Sequence, residues 1–243
     1  MFQHVLNNTS HRTSPLPTGP WVMTQRWDHL LFMHWPVTPE IIKKHVPEGM
    51  TVDTFDRNAW ITIIPFKIGD MRFRKLPPFP FLKSMLEVNV RTYVRRNGVP
   101  GIYFFSLEAS KLPAVIGARA ATLPYYHADM HMKSITDTFY YESKRKGSQA
   151  ALSLSYRPVS APFFPEENTL DEWLLERYWL WTNRNGTIYS DGIHHKKWEV
   201  YHAEASIEVM SLASFLPENI FERPPLLHYA LTKRVLFWPI RKE

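Results

Sequence analysis

The octapeptide "EVNVRTYV", residues 87–94, puts Glu87, Asn89, Arg91 and Tyr93 on one side of a period-two pattern. Val88, Val90, Thr92 and Val94 fall on the other. On a strand such a pattern gives one apolar face and one face carrying an acid, an amide, a guanidinium and a phenol. An acid beside an arginine is the pairing that holds a carboxylate and moves a proton. Glu87 and Arg91 stand four residues apart, roughly 13 Å along extended backbone, so they do not form a tight pair by themselves. If this face is enclosed, each group needs a partner from another strand or from a ligand. If it is solvated, it carries no chemistry. The pattern alone leaves both readings open.

Other reactive residue types are weaker candidates. In "LPYYHADMH", His127, Asp129 and His131 share one strand face with Tyr125. Same-face neighbours on a strand sit about 7 Å apart, so three of them rarely converge on one ion. A polar solvent face is the expectation, with no metal and no cofactor. Tyr125 and Tyr126 point to opposite faces, so at most one enters a given cavity. His34, beside Trp35 in the apolar "LLFMHW", reads as an interior histidine. His194 and His195, next to a basic turn, read as exposed. There is no Gly-x-Ser-x-Gly elbow and no glycine-rich phosphate loop. The chain contains no cysteine, which excludes disulfides, thiolate nucleophiles and cysteine-held metal centres.

The elements that must position these groups read mostly as strands. Residues 1–20 form an irregular arm, and 21–243 a single domain. A first strand is expected over 21–35. A short helix follows in "TPEIIKKHVPEGM", with Thr38 as cap and Pro39 in its first turn. "AWITIIPF" (59–66) is a strand, and 67–84 a loop rich in Arg and Pro. Asn97-Gly98 in "RRNGVPG" predicts an antiparallel hairpin over 85–109. "ARAATLPYYHADMHMKSI" reads as extended chain broken at Pro124. "ITDTFYYES" and "AALSLSY" pair across a basic turn. "NTLDEWLLERYWLW" is the best helix, with Thr169 and Glu172 as a capping box. "NRNGTIYSDG" is turn-like, and "KWEVYHAEASIEVM" is a further strand.

Length and composition agree with this reading. The chain has 243 residues, 44% of them hydrophobic and 14% aromatic, with twenty prolines against nine glycines. This suits one large α+β domain, mainly antiparallel β, with a few helices outside a closed or double-layered sheet. The formal charge is +6, but the basic residues are dispersed and form no long stripe, so a solvated surface is expected rather than a nucleic-acid footprint. No apolar run approaches 20 residues, and the first residues lack the features of a secretion signal. A cytoplasmic protein without membrane contact is the expectation.

Taken in order, "LLFMHWPVTPEIIKKHVPEGMTVDTF", "AWITIIPF", "EVNVRTYVRRNGVPGIYFFSLEAS", "ARAATLPYYHADM" and "ERYWLW" resemble the bacterial YqjF-type DUF2071 family. That family in turn resembles acetoacetate decarboxylase, as "IIKKHVPEGMTVD" and "PAVIGARAATLPYY" display. The resemblance implies a large β-barrel or cone around a central cavity, with the polar face of residues 87–91 turned inward. It also removes the decarboxylase reaction. The Pro-Lys-Lys motif that supplies the imine-forming lysine reads here Pro124-Tyr125-Tyr126, and Trp60 falls at or near a catalytic glutamate. Two readings follow. One is an enzyme using non-covalent acid–base chemistry, lyase- or isomerase-like, on a small organic acid or a carbonyl or aromatic metabolite. Glu87 would be its acid–base, Arg91 its anion anchor and Tyr125 a hydrogen-bond donor. Asn89, Arg119, Tyr126, His34, Trp35 and Trp60 would complete the binding wall. The other is a non-catalytic carrier built from the same residues. A small-molecule ligand is the expected partner, with a homo-oligomer as an option. A nucleic-acid module is the least supported alternative.

Overall fold

The structure is a computed structural model, and it describes residues 2–79 and 84–243. Five long strands make its central wall: β1 (Met23–Val37), β3 (Ala59–Phe73), β4 (Ser84–Arg96), β5 (Val99–Ala109) and β12 (Leu226–Phe237). They lie in the order β12-β1-β3-β4-β5, all antiparallel. The β4–β5 hairpin turns through Asn97 (φ 49°) and Gly98 (φ 79°), the left-handed pair that the Asn-Gly dipeptide supplies. β2 (Thr51–Val52), reached through the short α2 (Pro39–Lys43), adds a second partner at the far end of β4.

Each face of this wall is closed by its own set of strands. On one side β6 (Tyr125–Ile135), β7 (Thr138–Arg145), β8 (Ala151–Pro158) and β11 (Tyr201–Met210) run from β5 round to β12. On the other, β9 (Trp179–Arg184) and β10 (Thr187–His194) also link β5 to β12, and β13 (Arg241–Lys242) extends β10. β5 serves both rings, pairing in parallel with β9 at Ile102–Tyr103 and with β6 at Leu107–Ala109. The molecule is therefore a mainly antiparallel sheet closed into two rings of strands that share a wall.

Sharing a wall makes both faces of its strands inward-facing. Leu31, Met33, Ile61, Ile63, Val88 and Val90 pack on Tyr141, Leu152 and Leu154 in a dry core. Leu30, Phe32, Ile64 and Phe66 face Leu180 and Ile193 across the second ring. The valines of residues 88–90 thus belong to the dry core, and Glu87, Asn89 and Arg91 to the other side.

Several sequence expectations differ in extent. β3 runs on to Phe73, into the stretch expected as loop, and residues 80–83 of that stretch lie outside the described residues. α4 (Leu170–Leu175) ends six residues in, because "WLW" (179–181) is claimed by β9. α3 (Leu112–Ala120) is a helix whose last three residues fall in the stretch expected as extended chain. The arm contains α1 (Gln3–Leu6) and docks: Val5 is buried with Trp21, Leu236 and Trp238. His194 and His195 are buried rather than exposed, because the arm covers them, and the His194 Nε2 bonds the Val5 carbonyl at 2.8 Å.

Candidate functional site

The second ring is not filled. It encloses a cavity of about 530 Å³, lined by 36 of the described residues. Glu87, Asn89, Arg91 and Tyr125 all line it. Their placement follows from register. Glu87, Asn89 and Arg91 stand opposite Phe66, Ile64 and Thr62 on β3, so they share a face with the aromatic wall. A bulge in β5 opposite Val90 and Arg91 puts both Phe104 and Leu107 on the cavity side, which simple alternation would not allow. The parallel β5–β6 pairing sets Tyr125 opposite Leu107.

Glu87 is buried, and desolvation pushes its carboxyl up to about 8 although the Tyr125 hydroxyl, donating at 2.6 Å to Oε2, opposes this; buried Glu108 nearby adds to the rise. Burial and the neighbouring carboxyl likewise hold the Tyr125 phenol well above its ordinary range. At neutral pH both are protonated. The backbone of Glu87 is fixed from the opposite face: the Tyr141 hydroxyl in the dry core donates to the Glu87 carbonyl at 2.8 Å and to the Phe66 carbonyl at 3.2 Å.

Arg91 is only 9% exposed, yet its Nε and Nη2 have no hydrogen-bond partner. Among the described residues it takes part in no ion pair. Its nearest compensation is the faces of Tyr93 and Phe32, at 5.7 and 5.8 Å. Asn89 also leaves its Oδ1 unpartnered. Buried polar groups without partners are uncommon, and three of them along one cavity wall make a surface awaiting a ligand or water.

The other expected wall residues lie elsewhere. Trp35 is on the opposite face of β1, its indole N–H donating to the Arg223 carbonyl at 2.9 Å. His34 is wholly buried behind the cavity, in a chain of 2.8 Å bonds through Thr62 to the Tyr93 hydroxyl; desolvation, then His228 and Arg91, holds it neutral. Trp60 packs in the same apolar cluster as the cavity wall without reaching the cavity. Arg119, exposed near the end of α3, donates to the Tyr125 carbonyl at 2.6 Å and so braces the strand rather than the ligand space. Tyr126 lies between Arg119 and Arg145, with the latter 3.9 Å over its ring, on the outer side of β6. His127, Asp129 and His131 form a polar surface, where Asp129 pairs with Lys146 at 3.1 Å.

Sequence reasoning missed Arg177, Asp191 and His195, which also line the cavity. Arg177 read as part of a helix face, but it follows α4 and pairs with Asp53 at 2.7 Å; Asp53 also holds Arg95 at 2.8 Å. Asp191 was hidden in a turn-like stretch that became β10. It is buried, its Oδ1 is unpartnered, and desolvation raises it well above the carboxylate range. Lys233 was also missed. Buried beside Trp198, its ammonium is lowered by desolvation to about 8, and its Nζ donates to the Lys197 carbonyl at 2.8 Å.

One cluster has metal-ligand chemistry: atoms of His11, Glu176 and His195 lie within 4.8 Å of one another. Its groups are already engaged. His11 bonds the His195 carbonyl at 2.9 Å, and His195 Nδ1 bonds the Lys196 carbonyl at 2.8 Å. Glu176 accepts from the Trp198 N–H at 2.8 Å and from the Tyr178 hydroxyl. The charges of Arg12 and Lys233 bear on the same histidines and oppose a further cation. We read the cluster as the polar strut that fastens the arm.

A mainly antiparallel sheet closed around a cavity, with a few helices outside it, is the acetoacetate decarboxylase-like fold. The chain belongs to the DUF2071 family, described as an uncharacterized conserved protein, whose model matches residues 24–233. Protein YqjF of Bacillus subtilis (strain 168), described as uncharacterized, is 45% identical over 229 residues, covering 93% of this chain and 95% of that one. Among solved structures, acetoacetate decarboxylase from Legionella pneumophila superposes with a TM-score of 0.65 at 14% identity, over 98% of this chain and 94% of the other. An acetoacetate decarboxylase-like enzyme from Sphingomonas wittichii RW1 gives 0.63 at 10% identity, over 96% and 98%. Among the described residues no lysine lines the cavity.

Proposed function

We propose that the cavity receives a small organic acid or carbonyl compound and acts on it by non-covalent acid–base chemistry. Arg91 binds the carboxylate or enolate. Glu87, mostly protonated at neutral pH, takes a proton from the carbon next to the carbonyl through its ionised fraction and returns it to carbon or oxygen as the acid. Tyr125 holds the Glu87 carboxyl in place and donates to developing negative charge. The observation carrying this reading is the buried, unpaired guanidinium of Arg91 on the same cavity wall as a carboxyl held near pKa 8. A buried cation with free donors is costly unless an anion arrives, and a carboxyl near pKa 8 is well matched to proton transfer at neutral pH.

The second reading is a non-catalytic carrier of the same ligand class, favoured by the 2.6 Å bond through which Glu87 and Tyr125 already satisfy each other. One panel separates the two. Thermal shift with 2-oxo, 3-oxo and aryl acids identifies binders. Proton NMR in D₂O then follows exchange of the protons next to the carbonyl. The enzyme reading expects exchange in the wild type, loss of exchange with retained binding in Glu87→Gln, and loss of both in Arg91→Met. Binding without exchange in the wild type leaves the carrier. Binding that survives Arg91→Met sinks both. We also place the protein in the cytoplasm, as a homo-oligomer or monomer that does not engage nucleic acid. Among the described residues no helix is long and apolar enough to cross a membrane.

A further inference from the structure

We infer that the occupant of this cavity is an amphiphilic monocarboxylate, with one anionic head at Arg91 and a long apolar body reaching toward α3. The inference rests on the proposed role of Arg91 and adds the charge and size of the ligand. Charge comes first. Of the ionisable groups lining the cavity, Arg177 is matched by Asp53, which also holds Arg95. Glu87, Asp191 and His195 are buried without a charged partner within ion-pair distance, which favours their neutral forms. Arg91 is left as the one unmatched charge among the described lining residues. One unmatched guanidinium accommodates one carboxylate; a second would meet neutral acids, apolar wall or Arg177, which keeps a free Nη2 but whose charge Asp53 already answers.

Size and polarity come next. Cavities of about 300–1,000 Å³ suit drug-sized ligands, and 530 Å³ leaves room for a body of roughly eight to twelve carbons behind the carboxylate. A two- to four-carbon acid would leave most of it empty. The polar lining is buried, most of it on β4, β6 and β10 with Arg177 and His195; Gln25 on β1 is also buried, its amide engaged by Trp27 and Met71, whereas the exposed part of the lining is Phe73, Pro113, Gly117 and Pro239. Between them stand Leu30, Phe66, Met71 and Ile193. α3 presents Ala114, Gly117 and Ala118 to the cavity and its C-cap adds Ala121, so small side chains keep the space beneath the helix open.

Isothermal titration with acetate, butanoate, hexanoate, octanoate and decanoate tests this, with pyruvate, decanol and decanedioate as controls. Affinity is expected to rise about fourfold per buried methylene along the acids. Decanol and decanedioate should bind at least tenfold more weakly than decanoate. Ala118→Phe should move the optimum to shorter acids, weakening decanoate by at least tenfold more than butanoate. Arg91→Met should make decanoate no better than decanol. If pyruvate or butanoate binds as tightly as decanoate, the long apolar body is wrong and the acid-binding role of Arg91 stands. If decanol equals decanoate in the wild type, the anionic head fails and that role with it. If decanedioate equals decanoate, the single charge is wrong. Absence of binding across the acid series overturns the inference, and pyruvate binding on its own would still leave the proposed function in place.

Discussion

At the scale of single residues the site is defined by charges that lack their usual partners. Glu87 titrates near 8 in the fold against about 4.3 in an unfolded chain. The folded state therefore holds an extra proton between those values, and its stability falls as pH rises from one to the other. The histidines act in the opposite sense. His34 and His195 are kept neutral by burial, so their contribution is lost as pH drops below about 6.5. Between pH 7 and 8 Glu87 lowers stability by up to about 1.4 kcal/mol per pH unit, and Lys233, whose ammonium burial lowers to about 8, opposes it increasingly toward pH 8. Urea unfolding should show the wild type losing more stability, or gaining less, across this window than Glu87→Gln, because the other titrating groups are common to both. Equal slopes in the two proteins would contradict a protonated Glu87. Arg91 gives a second signature. Replacing an unpaired buried cation with an apolar side chain of similar length should stabilise the unliganded protein by on the order of 1–3 kcal/mol. A melting point for Arg91→Met above that of the wild type, together with lost ligand binding, would mark a residue kept for binding at the expense of stability. A lower melting point would mean that Arg91 has a structural partner.

At the scale of elements, what opens the cavity is how closely strands approach and where they slip. β9 comes so near to β5 that a Cβ on Gly101 would sit 2.3 Å from the Trp179 carbonyl oxygen and 2.4 Å from the Trp181 ring. Gly98, at the hairpin tip, has open space around it and only its positive φ to defend. Ala at Gly98 should therefore cost about 1 kcal/mol through backbone strain alone. Ala at Gly101 should cost several times that, because β9 or β5 must move. Denaturation midpoints of the two variants test whether the β5–β9 pairing closes the ring; equal costs would argue that it does not. The Asn97-Gly98 hairpin was legible because two adjacent left-handed residues leave a mark in the sequence. The bulge in β5 was not, since "IYFFSLEA" contains no glycine or proline to announce it. α3 went unassigned, and its last three residues were read as extended, for a related reason. Its residues are small and mildly apolar without strong helical spacing, and its place is set by the cavity beneath it.

At the scale of the whole molecule, two rings on one wall divide labour: one is packed solid and the other holds the cavity. The division bears on imine chemistry. Lys233, lowered to about 8, is the kind of amine that forms Schiff bases, yet it is held by the Lys196 and Lys197 carbonyls behind Trp198. Borohydride with a β-keto acid should trap no adduct, as intact mass would register. An adduct mapped to Lys233 would show that this lysine reaches the cavity and replace acid–base chemistry with covalent catalysis. The charge of +6 is spread over the surface. DNA affinity should be weak and fall steeply with salt. Sequence-selective binding at physiological salt would count against a small-molecule role.

By itself the sequence determined local periodicity and chemistry. It specified a strand with valines on one face and Glu87, Asn89 and Arg91 on the other, a hairpin at Asn97-Gly98, and tyrosines where an amine would be needed. These depend on neighbours a few residues apart, which a chain carries wherever it goes. Which face looked inward, whether Tyr125 or Tyr126 met Glu87, and that Asp191 and His195 belonged to the same cavity were decided by the tertiary structure alone. Sidedness is a property of what packs against a strand, and both faces of β4 are buried here because two rings share it. Trp35 and Trp60 have the composition of a pocket wall, and only register separates them from Phe66 and Leu107, which form one.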